Sequence, residues 1–223
     1  MKLYVANAPS PAIARRLAQI KGITLDFVEV DMMNMENRNA EFLKRNPAGQ
    51  LPILELDDGR TLAELTAIAE YFEELVPDPV FVGRDAYERA ETRMWMRRID
   101  TKILLPMAMA FQHGRGAPFF SGRITIREAL SEPCAEMARE GLVWLDQQMQ
   151  ARQFLCGDRI TYADVMFHSN VTFFGKMGQA VDPALAAVTD YVARLSAHPF
   201  LEGLTCAIYL RIFPLLAMAA LAK

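Results

Sequence analysis

Residues 46–75 read NPAGQLPILELDDGRTLAELTAIAEYFEEL, and this stretch decides the fold. Ile53 to Leu56 and Arg60 to Leu62 are short apolar-rich runs joined by Asp57-Asp58-Gly59, which predicts a β-hairpin. Pro52 lies between a loop and the first of these strands. It has no N–H to give a sheet ladder, so it fits the start of an edge strand. Glu64 to Leu75 predicts a helix with Ile68 and Phe72 on one face.

Upstream, Lys2 to Ala6 reads as a strand. Ser10-Pro11 resembles a helix start, with serine as the cap and proline at the first helical position, where its missing N–H costs nothing. That helix stops at Gly22. Leu25 to Val30 alternates into a second strand, and a short helix surrounds Glu41 to Lys44. The order is βαβ, then α, then ββα, the pattern of a small α/β domain. Val76-Pro77-Asp78-Pro79 breaks the last helix, so a linker is expected near residues 77–88, between an α/β domain over 1–78 and a second domain over 86–223. The second domain reads all-helical. Its helices are expected at Tyr87–Gln112, Ile124–Met149, Tyr162–Phe174 and Pro183–Ala197. Thr161 and Asp164 have the spacing of a capping box.

The 223 residues carry a formal charge of −3, with 52% hydrophobic and 23% charged residues. A globular protein with a real core fits these figures, whereas duplex nucleic-acid binding needs a basic footprint. Asn7, Ser10 and Pro11 interrupt the N-terminal apolar run too early for a signal peptide. Leu204 to Ala222 is mostly apolar, but Arg211 and Pro214 break it, so it reads as a terminal helix and tail rather than a membrane span. Cys134, Cys156 and Cys206 are odd in number and have no metal-like spacing, which suits a reducing cytoplasm. His113, His168 and His198 share no triad or metal spacing and read as structural.

The segment Asn46 to Leu75 closely resembles the N-terminal signature of the cytosolic glutathione transferases, an N-P-x-G-Q/K-V/L-P-x-L run before a hairpin and helix. Ala8 to Ile23 resembles that family's first loop and helix. FLCGDRITYADV, Phe154 to Val165, resembles its C-terminal domain signature. Three motifs in family order imply a thioredoxin-like N-terminal domain followed by an all-helical domain. They further imply a homodimer that binds glutathione as co-substrate, without a metal, and conjugates it to a hydrophobic electrophile.

Residue by residue, the resemblance implies a cis Leu51–Pro52 bond, which turns the Leu51 backbone toward the ligand's cysteinyl unit as a strand edge would. It implies that Glu64 meets the γ-glutamyl ammonium. The next family position is a serine that helps hold the γ-glutamyl carboxylate, and here it is Leu65, leaving backbone amides and Thr66. Arg38 and Gln50 resemble positions that contact the glycine end. The thiol needs a donor from the first loop. Ala8 stands where many classes carry that donor and has none to offer, so Ser10 is the first candidate and Asn7 the second. No cysteine lies in this loop, which argues against disulfide exchange. Met94, Trp95, Met107, Met109 and Phe111 form a stripe for either the core or the electrophile pocket, and the tail near Tyr209, Phe213 and Leu216 is a candidate cap or dimer contact. Leu65 and Ala8 keep a second reading open, a binding or scaffold protein of the same fold with little turnover.

Overall fold

The computed structural model describes residues 1–202 and Leu204. Strands β1 (Lys2–Val5), β2 (Asp26–Glu29), β3 (Ile53–Glu55) and β4 (Thr61–Ala63) form one sheet in the order β2-β1-β3-β4. β1 runs parallel to β2, with Leu3 opposite Phe27, and antiparallel to β3, with Leu3 opposite Leu54. β3 and β4 form the hairpin, whose turn is closed by the Leu56 N–H bond to the Arg60 carbonyl (2.8 Å). Asp58 caps that turn by accepting the Arg60 N–H. Gly59 takes φ +84° there, where a side chain is strained.

Alternation along the strands divides two cores. Leu3, Val5 and Leu54 face helices α1 (Pro9–Ile20) and α3 (Leu65–Leu75), burying Ile13, Leu17, Ile68 and Phe72. Tyr4 and Ile53 point to the other face, with Val30 and Phe42 of α2 (Ala40–Arg45).

Helix α1 begins two residues before the expected start. Ala8 is the N-cap, in extended conformation (φ −144°), and Pro9 takes the first helical position. Both prolines suit a first turn, and the residue before a proline is pushed into the extended region, so Ala8 becomes the boundary. Ser10 is therefore inside the helix and is not its cap. With Pro9 and Pro11 lacking N–H groups, Ser10 carries the free amide of that turn, and the Ala12 N–H already bonds to Ala8 O.

The second domain is helical: α4 (Ala86–Ile99), α5 (Leu105–His113), α6 (Ala117–Phe120), α7 (Ser131–Met149), α8 (Tyr162–Lys176) and α9 (Ala186–Ser196). The single helix expected over 87–112 is interrupted by a π segment, Asp100–Leu104, in which the Leu105 N–H bonds the Asp100 carbonyl. Pro106 cannot donate to Lys102, which removes one rung of the ordinary ladder at this point. α7 starts at Ser131 rather than at Ile124. The intervening chain is held on the end of α5 instead: Ser131 Oγ donates to Ala110 O (3.0 Å) and Arg127 N–H to His113 Nδ1 (3.3 Å). α9 starts after Pro183 because Asp182 accepts the N–H groups of Ala184 and Leu185 in a turn. At the start of α8, Asp164 is fully buried. It accepts from the Thr161 N–H and hydroxyl, the Leu155 N–H and the Tyr191 hydroxyl. No helix among the described residues is long and apolar enough to cross a membrane. Cys206, Tyr209, Phe213, Leu216 and the expected terminal helix lie outside the described residues.

The chain between α3 and α4 is fixed by a buried ion pair. Lys21, at the end of α1, directs its ammonium to Val76 O (2.7 Å), Pro79 O (2.8 Å) and Glu73 Oε2 (3.1 Å). Glu73, in the last turn of α3, accepts the N–H groups of Phe81, Val82 and Gly83 at 2.7–2.9 Å. Both side chains are almost fully buried, so neither charge has water to fall back on. Removing one partner strands the other, which costs about 3–5 kcal/mol. Glu73→Ala is expected to lower unfolding free energy by that amount in urea titrations. A loss below about 1 kcal/mol contradicts the assignment.

Candidate functional site

A cavity of about 650 Å³ lies between the two domains and gathers most of the residues singled out from sequence. One wall carries Ser10, Arg38, Gln50, Leu51, Pro52 and Glu64, with Leu65 and Thr66 beside them. Asn7 is exposed in the bend before α1 and is not part of the lining. A smaller cavity, about 320 Å³, lies between α5, α7 and the end of α8 and contains none of these residues.

Loop 46–52 is held in shape by two buried asparagines. Asn46 donates to Gln50 O (2.9 Å) and accepts the Ala48 N–H (3.1 Å). Asn37 donates to Gly49 O (2.7 Å), and Arg38 Nη1 donates to Ala48 O (3.1 Å). Gly49 has φ +62°, and a Cβ there would stand 2.7 Å from Arg38 Nη1 and 2.9 Å from Asn37 O. Only glycine fits. The Leu51–Pro52 peptide bond is cis, and Pro52 is buried while Leu51 remains partly open to the cavity.

Glu64 precedes α3 at φ +69°, a left-handed conformation that is unusual for a glutamate. Its side chain is exposed. Strain at such a position is held by its surroundings and marks a functional candidate. The first N–H groups of α3 have no partners within the helix, and the Ile68 N–H is the first to close back, on Glu64 O (3.1 Å). Leu65 is 5% exposed, packed into the main core, so at this position only its backbone is available to a ligand.

The opposite wall is aromatic. Phe111 is its hub, with ring centroids 6.0 Å from Phe120, 5.8 Å from Phe173 and 6.0 Å from Phe174, and Phe119 stacks edge-on to Phe120 at 5.1 Å. Of the five residues in the sequence stripe, Phe111 alone lines this cavity. Trp95 and Met107 are core, and Met94 is exposed. The cavity is lined instead by Met96 from α4, Leu104 from the π segment and, on the face whose phase that segment shifts, Leu105 and Ala108.

Sequence reasoning missed three charged groups at the cavity, Arg97, Asp100 and Arg123. Asp100, in the π segment, has its carboxyl raised above the usual range by burial, with Arg97 at 3.6 Å opposing. Arg123 follows α6 and reaches the other domain, donating from Nη2 to Met32 O (2.6 Å) and from Nε to Phe119 O (2.8 Å). Burial, and the Arg38 charge near it, lower its proton affinity. The signal was present as an arginine three residues after two phenylalanines, in the stretch left between the helices expected at Tyr87–Gln112 and Ile124–Met149. Among the described residues, no group of three or more His, Cys, Asp and Glu is placed to hold a metal ion.

Comparison with known proteins agrees with this architecture. The profile of the glutathione S-transferase N-terminal domain matches residues 11–75, and that of the C-terminal domain matches residues 127–203. Glutathione S-transferase 2 of Saccharomyces cerevisiae is 26% identical over 198 residues, 88% of this chain and 85% of that protein. Maleylacetoacetate isomerase of Pseudomonas aeruginosa is 26% identical over 211 residues, 89% of this chain and 92% of its own. The crystal structure of Gtt2 from Saccharomyces cerevisiae matches with a TM-score of 0.85 at 25% identity, over 92% of this chain and 100% of that one. The two-domain architecture is thus a thioredoxin-like sheet domain joined to a helical one. The chain belongs to the glutathione transferase family.

Among the described residues, no cysteine lines the cavity. Cys134 and Cys156 are buried, and burial pushes the Cys156 thiol up to about 11. A thiol in that state is inert, because the thiolate is the reactive form. At pH 8, iodoacetamide is expected to leave Cys156 unmodified in the native protein and to alkylate it after unfolding, as read by peptide mass mapping. Fast native-state labelling contradicts this.

Proposed function

We propose that the protein is a glutathione transferase that joins glutathione to a hydrophobic electrophile in the interdomain cavity. The observation that carries this is the shared lining: Ser10, Leu51 and the start of α3 occupy one wall, and a phenylalanine cluster occupies the other. In this arrangement the cysteinyl unit pairs with the Leu51 backbone as an added strand. The γ-glutamyl ammonium meets Glu64, and its carboxylate meets the amides of Leu65 and Thr66 at a helix N-terminus, aided by the Thr66 hydroxyl. Arg38 and Gln50 receive the glycine end.

Chemistry requires thiolate. A free thiol near pKa 8.5 is a few per cent ionised at neutral pH, and lowering it by two units needs about 2.7 kcal/mol of preferential stabilisation. Ser10 offers its hydroxyl beside the positive end of α1, and one donor to an anion is of that size. Ser10 lies inside the helix and Ala8 is the N-cap, which supports a hydroxyl that is not spent on capping. The electrophile then lies on the Phe111 cluster. Tyr87 and Met94, exposed and one heptad apart on α4, offer apolar surface for the homodimer we also propose. Cysteine usage suits a cytoplasmic, detoxifying role.

A second reading has one observation in its favour. Leu65 is buried where a hydroxyl donor is usual in the family, and losing a hydrogen bond to a charged group costs about 1.5–3 kcal/mol. A protein so weakened can bind glutathione without turning it over. Ser10→Ala decides between them. Conjugation predicts that kcat with an aromatic halide falls about ten- to a hundred-fold, while glutathione affinity by calorimetry changes less than about three-fold. Unchanged kcat removes Ser10 from the chemistry, and glutathione binding without wild-type turnover favours the scaffold.

A further inference from the structure

Two arginines at the cavity are short of partners. Arg123 Nη1 and Arg38 Nε are both buried with no hydrogen-bond partner among the described residues. The bonds these side chains do make go to main-chain carbonyls, Met32 and Phe119 for Arg123 and Ala48 for Arg38. The charge that bears on Arg123 is Arg38, a like charge, and among the described residues no carboxylate forms an ion pair with it. Both guanidinium side chains line the interdomain cavity, and two positive charges beside one cavity can receive an anion, because arginine pairs best with carboxylate. The glycine end of glutathione brings one carboxylate to Arg38 in the arrangement proposed above, which leaves one positive charge uncompensated. Arg123 also stacks on Phe119, its guanidinium carbon 4.3 Å from the ring centroid, which joins its charge to the aromatic wall.

We propose that Arg123 selects the second substrate: the favoured electrophile is an aromatic or unsaturated carboxylate, with its apolar body on the phenylalanine wall and its carboxylate on Arg123. This rests on the transferase reading for its chemistry, while the anion site itself does not require glutathione. The probes are para-chloro-meta-nitrobenzoate and its neutral amide, which differ in charge and little in shape; because the amide activates the ring more strongly, each kcat/KM is taken relative to that probe's uncatalysed reaction with glutathione. In turnover the glutathione thiolate attacks the ring carbon that bears chlorine. The C–S bond forms, the C–Cl bond breaks, and chloride leaves with the electron pair.

The expected result is a kcat/KM for the benzoate about ten- to a hundred-fold above that for the amide, the range of one charge-assisted hydrogen bond. Arg123→Gln brings that ratio close to one, with glutathione affinity unchanged within about two-fold, and Arg123→Lys keeps part of the preference. Direct calorimetric titration of both probes into the wild-type protein, with and without glutathione, shows the benzoate binding more tightly in each case. Equal handling of the two probes by the wild type overturns the proposal, as does a preference that survives in Arg123→Gln. A fall in glutathione affinity in Arg123→Gln with the preference intact also overturns it and assigns Arg123 to the glycine end. Should glutathione fail to bind while the benzoate still outcompetes the amide, the transferase reading falls and the anion site stands. If Arg123→Gln does not fold, the wild-type titrations decide.

Discussion

The Lys21–Glu73 ion pair is the constraint on which the relation of the two domains depends. A buried ammonium has three protons to satisfy, and here all three find oxygen: two carbonyls of the linker and one carboxylate. The carboxylate in turn takes three consecutive linker N–H groups. A pair so completely bonded meets the condition under which burial of charge is tolerated. It clamps the end of α1, the last turn of α3 and the first residues leading to α4. Phe81, thereby fixed, accepts the Tyr162 N–H at the start of α8, so the clamp extends into the second domain. The cavity lies between surfaces that this clamp holds in register.

Within that frame the cavity is assembled from chain ends. Two helix N-termini, those of α1 and α3, open on it, and each is modified from the simplest form. α1 is deprived of two amides by Pro9 and Pro11, which concentrates its donor capacity in Ser10. α3 is entered through a strained Glu64 and shows its backbone rather than a side-chain hydroxyl at Leu65. Polar groups therefore gather on the sheet-domain wall, and the helical domain supplies apolar rings with three charged groups at their margin, Arg97, Asp100 and Arg123. Polar groups on one side and apolar surface on the other are the make-up of a cavity for a small molecule with both polar and apolar parts.

Much of this was legible in the sequence. The hairpin over 53–62 and the helix after it follow from alternation and turn chemistry, and the capping pair Thr161 and Asp164 forms a bond network at the start of α8. Leu51, Pro52, Gln50 and Glu64 come together because they sit within one short stretch whose loop geometry is local. What was not legible depends on partners distant in sequence. Lys21 and Glu73 look like ordinary surface charges until the fold buries them together. Arg123 acquires meaning only from Met32 and Arg38 across the domain boundary. The start of α1 was misplaced because Pro9 and Pro11 satisfy the same local rule, and the face of α5 was misread because a π segment shifts its phase, which a simple helical period does not anticipate.

The central claim is that glutathione binds in this cavity with its sulfur at Ser10. A crystal structure of the complex with glutathione tests it most directly. The account predicts the cysteinyl backbone paired with Leu51 and the sulfur within about 3.5 Å of Ser10 Oγ. A sulfur turned toward Asn7, or glutathione bound outside the interdomain cavity, contradicts it.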